Sequence, residues 1–159
     1  MTIPPSGEQF EIRAGGQRAT IVEVGGGLRE YEVDARPVLE PYPVDRIRDG
    51  AHGAPLVPWP NRLAGGRYSF DGEDQQLALT EPQRQNAIHG LLLWRPWEVV
   101  DRDVARIVMG VRLHPLPGYP FTLDVRIAYR LSEDGLSVTT PRRTPASGSP
   151  SPASPPACA

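Results

Sequence analysis

The stretch FTLDVRIAYRLSEDGLSVTT, residues 121–140, decides the fold class. Phe121, Leu123, Val125, Ile127, Tyr129 and Leu131 alternate with polar or small residues. Side chains two apart share one face of a strand, so this period marks a half-buried β-strand. Glu133-Asp134-Gly135 interrupts it with a turn signal, and GLSVTT resumes strand character, so the segment reads as a hairpin. Upstream, WEVVDRDVARIVMGVRL (97–113) reads as a second hairpin turning near Asp101 to Asp103. RYSFDGEDQQLALT (67–80) reads as a third, around the turn signal Asp71-Gly72. EQFEIRA (8–14), ATIVEV (19–24) and LREYEVD (28–34) are short, partly alternating and bounded by glycines. No stretch sustains a 3.6-residue apolar period with caps. Regularly spaced antiparallel strands predict an all-β sandwich or barrel.

The segments between these strands are rich in breakers. Gly25-Gly26-Gly27 lies between two predicted strands with no helix after it, which predicts a turn or bulge rather than a phosphate cradle. Prolines at 37, 41, 43, 55, 58 and 60 predict that 37–60 is mostly loop. The last residues, PRRTPASGSPSPASPPACA (141–159), hold no Ile, Leu, Val, Met or aromatic residue. Such a segment buries too little apolar surface to offset its ordering entropy, so a disordered tail is expected there. The expected organisation is one sandwich unit over 1–140 and a tail over 141–159.

Composition narrows the function. The chain has 159 residues, 39% hydrophobic and 23% charged, with net charge −2. That fits one globular domain and argues against a polyanion-binding surface, so no nucleic-acid partner is expected. No apolar run reaches the length of a membrane helix, and MTIPPSGEQFEI lacks the basic and apolar regions of a secretory signal. A cytoplasmic protein with no membrane partner is expected. Cys158 is the single cysteine, which rules out a disulfide framework. All 17 basic residues are arginine. Together with abundant proline, glycine and alanine, this is the residue usage of GC-rich coding DNA.

Phosphate loops, Cys/His metal clusters and serine nucleophile elbows are absent from the sequence, so no cofactor or metal is expected. The remaining candidates are concentrated. The two asparagines of the chain are Asn61, in VPWPNRLAGGRY, and Asn86, in QRQNAIHG. Arg62 follows the first and His89 follows the second. Both segments read as loops flanking the 67–80 hairpin, so one end of that hairpin brings them together. Arginine offers a rigid fork of donors to vicinal hydroxyls, and histidine exchanges a proton near neutral pH. Each also has a plainer reading: a solvated loop arginine, and a histidine capping a turn before Gly90. His52 reads as a loop residue and His114, before Pro115, as a strand end. Trp59, Trp94 and Trp97 are able to stack on sugar faces, but burial in a sandwich core is the commoner fate of tryptophan.

PLVPWPNRLAGGRYSFDG, then ALTEP, then NAIHGLLLWRPW resembles the aldose 1-epimerase (galactose mutarotase) family. That family has an Asn-Arg pair before a G-x-[YF]-x-[FL]-x-G hairpin, followed by an N-x-[IL]-H-G segment. LHPLPGYPFTLDVRIAYRLSEDGLSVTT also looks like the family's central strands, so the resemblance runs from about residue 8 to residue 140. It implies part of a large antiparallel β-sandwich of the galactose mutarotase type, corresponding to the N-terminal half of the family. It implies a cofactor-free isomerase that interconverts the α and β anomers of a hexose. Asn61, Arg62 and His89 would bind sugar, with His89 polarising a sugar oxygen. The family's acid histidine and base glutamate lie in segments beyond the SVTT strand, and no motif here matches them. The expectation is a truncated or frameshifted chain whose tail is aberrant, which retains at most carbohydrate binding and self-associates through unpaired strands.

Overall fold

A computed structural model of the chain describes residues 3–140. The expectation for 141–159 lies outside the described residues. The described chain is almost entirely strand and loop, with a single 3₁₀ turn at Pro82–Arg84. β1 (Gln9–Ala14), β2 (Gln17–Val22), β3 (Leu28–Val33) and β4 (Arg36–Leu39) form an antiparallel meander in that order. Four further strands, β9 (Glu98–Arg102), β10 (Arg106–Leu113), β11 (Leu123–Ser132) and β12 (Gly135–Thr139), form a second sheet in the order β12-β11-β10-β9. Between them in sequence lie two small ribbons. One pairs β5 (Arg62–Ala64) with β8 (Asn86–Ile88), the other β6 (Arg67–Phe70) with β7 (Glu73–Gln76).

Alternation puts the core between the two large sheets. In β11, Ile127, Tyr129 and Leu131 are buried while Asp124, Arg126 and Arg130 are exposed. Ile107, Met109 and Leu113 of β10 join them, and Phe10, Ile12, Ala19 and Ile21 come from β1 and β2 into the same apolar cluster. β1 lies against β10 and β11. The sheets are also tied at their edges. The Arg13 N–H donates to the Val104 carbonyl (2.7 Å), and Gln17 Nε2 donates to the Ser132 carbonyl (2.6 Å). On the outer face of the first sheet, Arg18 gathers Glu11, Glu30 and Glu32. This polar face is what one-sided burial requires.

The glycine-rich turn after β2 is a packing device. Gly26 has φ +62°, and a Cβ there would stand 2.8 Å from Cγ and Cε3 of the Trp97 ring. Only glycine combines that conformation with that contact. The Gly26 carbonyl accepts the Tyr129 hydroxyl at 2.7 Å, which stitches the turn to β11. Trp59 and Trp97 are buried, as tryptophans of a sandwich core usually are, whereas Trp94 is 51% exposed beneath the Arg48 guanidinium.

Two local expectations need correction, while the stretch 37–60 is mostly loop as its prolines predict, with β4 carrying Pro37 to Leu39 at its start. β4 hydrogen-bonds to β3 alone, and proline is tolerated on such an edge strand. Its entry turn is Asp34-Ala35, both at positive φ, a hairpin turn without the usual Asn-Gly or Asp-Gly signal. The β9–β10 turn falls after Arg102 rather than at 101–103, and a bulge opposite Val108 and Met109 shifts the register. Finally, the segments of Asn61-Arg62 and Asn86 include strands, β5 and β8. Each spans three residues, too few to show a period. The Asp71-Gly72 turn and the hairpin at 133–134 stand where the sequence places them.

Candidate functional site

β5 and β8 pair antiparallel, with Arg62 opposite Ile88, Leu63 opposite Ala87 and Ala64 opposite Asn86. Leu63 and Ala87 are buried in the core. Arg62 and Asn86, one residue away on either side of that inward pair, therefore share the opposite face. The sequence reading expected Asn61, Arg62, Asn86 and His89 to converge on a sheet rim, and this pairing brings them to one rim.

Asn61 and His89 lie just beyond the two strands and lock together. The His89 N–H donates to the Asn61 carbonyl (2.9 Å), and the Asn61 N–H donates to His89 Nδ1 (3.1 Å). Both residues sit at positive φ, near +60°. Asparagine and histidine are among the non-glycine residues that adopt this region most readily. The second hydrogen bond decides the tautomer. Nδ1 accepts and so carries no proton, and the neutral ring holds its proton on Nε2. His89 thus offers a donor at Nε2. Gly90 follows at φ +76°, with its Cα face against the Val57 carbonyl.

Arg62 does not stand alone. Its Nε and Nη2 donate to Oε2 and Oε1 of Glu81 at 2.6 and 2.9 Å, a bidentate pair. Asn86 Nδ2 adds a 3.4 Å hydrogen bond to Glu81 Oε2. The guanidinium, followed by the Asn86 amide, holds the Glu81 carboxyl down at about 2. The same pairing raises the pKa of Arg62. Nothing in the sequence singles out Glu81, which stands in ALTEP as a carboxylate before a proline. The arrangement presents a guanidinium edge, an amide and an imidazole N–H on an open rim, with the Glu81 carboxylate tucked behind Arg62, a set suited to hydroxyl groups.

The other candidates lie elsewhere. His52 Nε2 donates to the Glu40 carbonyl at 2.6 Å, and its ring meets Tyr42 edge-on, a structural placement. His114 follows the end of β10, as expected of a strand-ending residue. It lines a cavity of about 740 Å³ on the outer face of β9–β11, with Glu98, Arg106, Arg112, Asp124 and Arg126. A second cavity, about 530 Å³, borders the β6–β7 ribbon. Asn61, Arg62 and His89 line neither cavity. Among the described residues, no group of three or more His, Cys, Asp or Glu is placed to hold a metal ion.

Comparison with known proteins gives a consistent picture. YihR of Escherichia coli, an uncharacterized protein, is 37% identical over 134 residues, covering 84% of this chain and 44% of that protein. The aldose 1-epimerase of Escherichia coli is 30% identical over 96 residues, covering 58% of this chain and 27% of that enzyme. Among solved structures, a galactose mutarotase-like protein from Clostridium acetobutylicum superposes with TM-score 0.74 at 24% identity, covering 87% of this chain and 46% of that one. A GalM/aldose epimerase homologue from C. elegans gives 0.67 at 22%, covering 79% and 42%. The fold is therefore the galactose mutarotase-like β-sandwich. This chain spans less than half the length of these relatives and corresponds to their N-terminal half. The family model for aldose 1-epimerase matches residues 8–153, past the end of the motif resemblance at residue 140. With the ordered motifs, the paired β5–β8 rim and this match in agreement, the chain belongs to the aldose 1-epimerase family.

Proposed function

We propose that this chain serves the interconversion of hexose α and β anomers, with Asn61, Arg62 and His89 as its sugar contacts. The observation that carries the reading is the mutual hydrogen bonding of Asn61 and His89 beside an Arg62 already oriented by Glu81. Anomer exchange opens the hemiacetal: a base takes the C1 hydroxyl proton while an acid protonates the ring oxygen. Rotation about C1–C2 and reclosure then give the other anomer. His89, with its proton on Nε2, is suited to donate to a sugar oxygen and polarise it. Arg62 is suited to donate to neighbouring hydroxyls. The proposed setting is cytoplasmic and cofactor-free. Among the described residues no helix is long and apolar enough to cross a membrane.

One observation favours a second reading, carbohydrate binding without turnover. Arg62 and His89 both act here as donors, and the His89 Nδ1 lone pair is already taken by the Asn61 N–H. Neither is poised to withdraw the C1 hydroxyl proton. Polarimetry of freshly dissolved α-D-galactose or α-D-glucose with the 159-residue chain separates the two. A rate at the uncatalysed background, with sugar binding that falls in Arg62→Ala and His89→Ala, supports binding alone. Enzymatic mutarotation lost in His89→Ala supports turnover. Sugar binding unchanged in both variants refutes the site.

A further inference from the structure

We propose that Glu81 is the positioning residue of this site: it fixes the orientation in which Arg62 meets the sugar. The inference rests on the reading of Arg62 as a sugar contact. A free arginine on a rim is a long, rotamer-rich side chain, and binding must order it. Here the Nε and Nη2 edge is spent on the two Glu81 oxygens. The Nη1 edge is left for a ligand, and the side chain remains 39% exposed. A planar bidentate pair fixes direction as well as distance, which one hydrogen bond does not.

Glu81 is itself held from several sides. Its N–H donates to the Asn86 carbonyl (2.9 Å), and its carbonyl accepts the Asn86 N–H (3.2 Å). The Asn86 side-chain amide reaches Oε2, and Arg84 Nε stands 3.8 Å from Oε1. One residue earlier, Thr80 Oγ1 accepts the Ile88 N–H at 2.8 Å. Residues 80 and 81 are therefore fastened along β8, and β8 is paired to the strand that begins with Arg62. The Glu81 side chain is only 13% exposed, so it acts through Arg62 rather than as an open sugar contact. Arg62, Asn86 and the strands beneath them form a closed circuit through this carboxylate.

The test titrates the 159-residue chain with D-galactose and D-glucose by NMR, for wild type, Arg62→Ala, Glu81→Ala, Glu81→Gln and the Arg62→Ala/Glu81→Ala double variant. Arg62→Ala is expected to weaken binding about tenfold, the loss of a charged hydrogen-bonding group. Glu81→Ala is expected to lose nearly as much although Arg62 is present, and the double variant no more than Arg62→Ala alone. Glu81→Gln keeps the volume and one acceptor oxygen, so it should fold and bind at an intermediate level. The hydrogen-exchange rate of the Arg62 Nε–H should rise in the order wild type, Gln, Ala. If Arg62→Ala weakens binding while both Glu81 variants bind as wild type, the positioning role is overturned and the sugar site stands. Additive losses in the double variant also overturn it. If Arg62→Ala binds as wild type, the sugar-site reading falls and the positioning role falls with it.

Discussion

Gly90→Ala tests whether the site loop is built on a backbone contact that tolerates no side chain. Gly90 has φ +76°, and a Cβ there would lie 2.9 Å from the Pro58 nitrogen and closer still to the Val57 carbonyl. A non-glycine residue in the left-handed region costs about 1–2 kcal/mol before any contact is counted. The obstructing atoms are backbone, so no rotamer change relieves them. Moving the Val57 carbonyl also breaks its 2.8 Å hydrogen bond from the Leu91 N–H, worth about 1–3 kcal/mol if left unsatisfied. The expected loss is about 2–5 kcal/mol, a large fraction of the roughly 5–15 kcal/mol of a typical domain. Gly15→Ala is the control: φ is +55°, but nothing lies within 4 Å of its Cβ, so only the conformational cost of about 1–2 kcal/mol applies. Urea unfolding of both variants, with unchanged slope, measures the difference. The loop also carries His89, so sugar binding should weaken in Gly90→Ala even where the protein remains folded. A Gly90→Ala stability within about 0.5 kcal/mol of Gly15→Ala would refute the contact argument.

Other consequences follow from the same packing. Tyr129→Phe leaves the Gly26 carbonyl without its 2.7 Å partner in the core and should cost about 1–3 kcal/mol in urea melts, with the sheets otherwise intact by circular dichroism. The Glu81 carboxyl falls from an ordinary 4.5 to about 2, chiefly through Arg62, so its stabilising effect is present above about pH 4.5 and is lost as pH falls toward 2. The stability gap between wild type and Glu81→Gln should therefore close over that window in acid titrations. A gap that stays constant with pH would show that the ion pair contributes nothing to folding. β4, β9 and β12 each hydrogen-bond on one side only, with Val38, Val99, Val100 and Val138 exposed along them, so the chain should self-associate in sedimentation velocity. A monodisperse monomer at high concentration would contradict this.

The fold class was legible because burial on one face of a strand imposes a period of two, and the apolar residues of β11, Leu123 to Leu131, keep that period. The Asp71-Gly72 turn was legible for an equally local reason: both residues must take positive φ, and Asp-Gly does so readily. Asn61, Arg62 and His89 were legible as candidates through their residue types and the order of their motifs. Their meeting was legible too, from the hairpin between their segments, but the strand pairing that accomplishes it was not. That pairing joins β5 to β8 across the whole β6–β7 ribbon, and three-residue strands leave no periodic trace. Only the tertiary structure revealed that Glu81 occupies the Arg62 fork, because the two are distant in the chain and a carboxylate before a proline looks like any turn residue. The same holds for β4, whose pairing rests on an Asp34-Ala35 turn and an edge position that admits Pro37. Sequence by itself determined that Ile127, Tyr129 and Leu131 of β11 face inward, since alternation along one strand is set by neighbours in the chain. Which polar groups meet at the rim was decided by strand pairing, since hydrogen bonds between remote segments are fixed only once the core has closed.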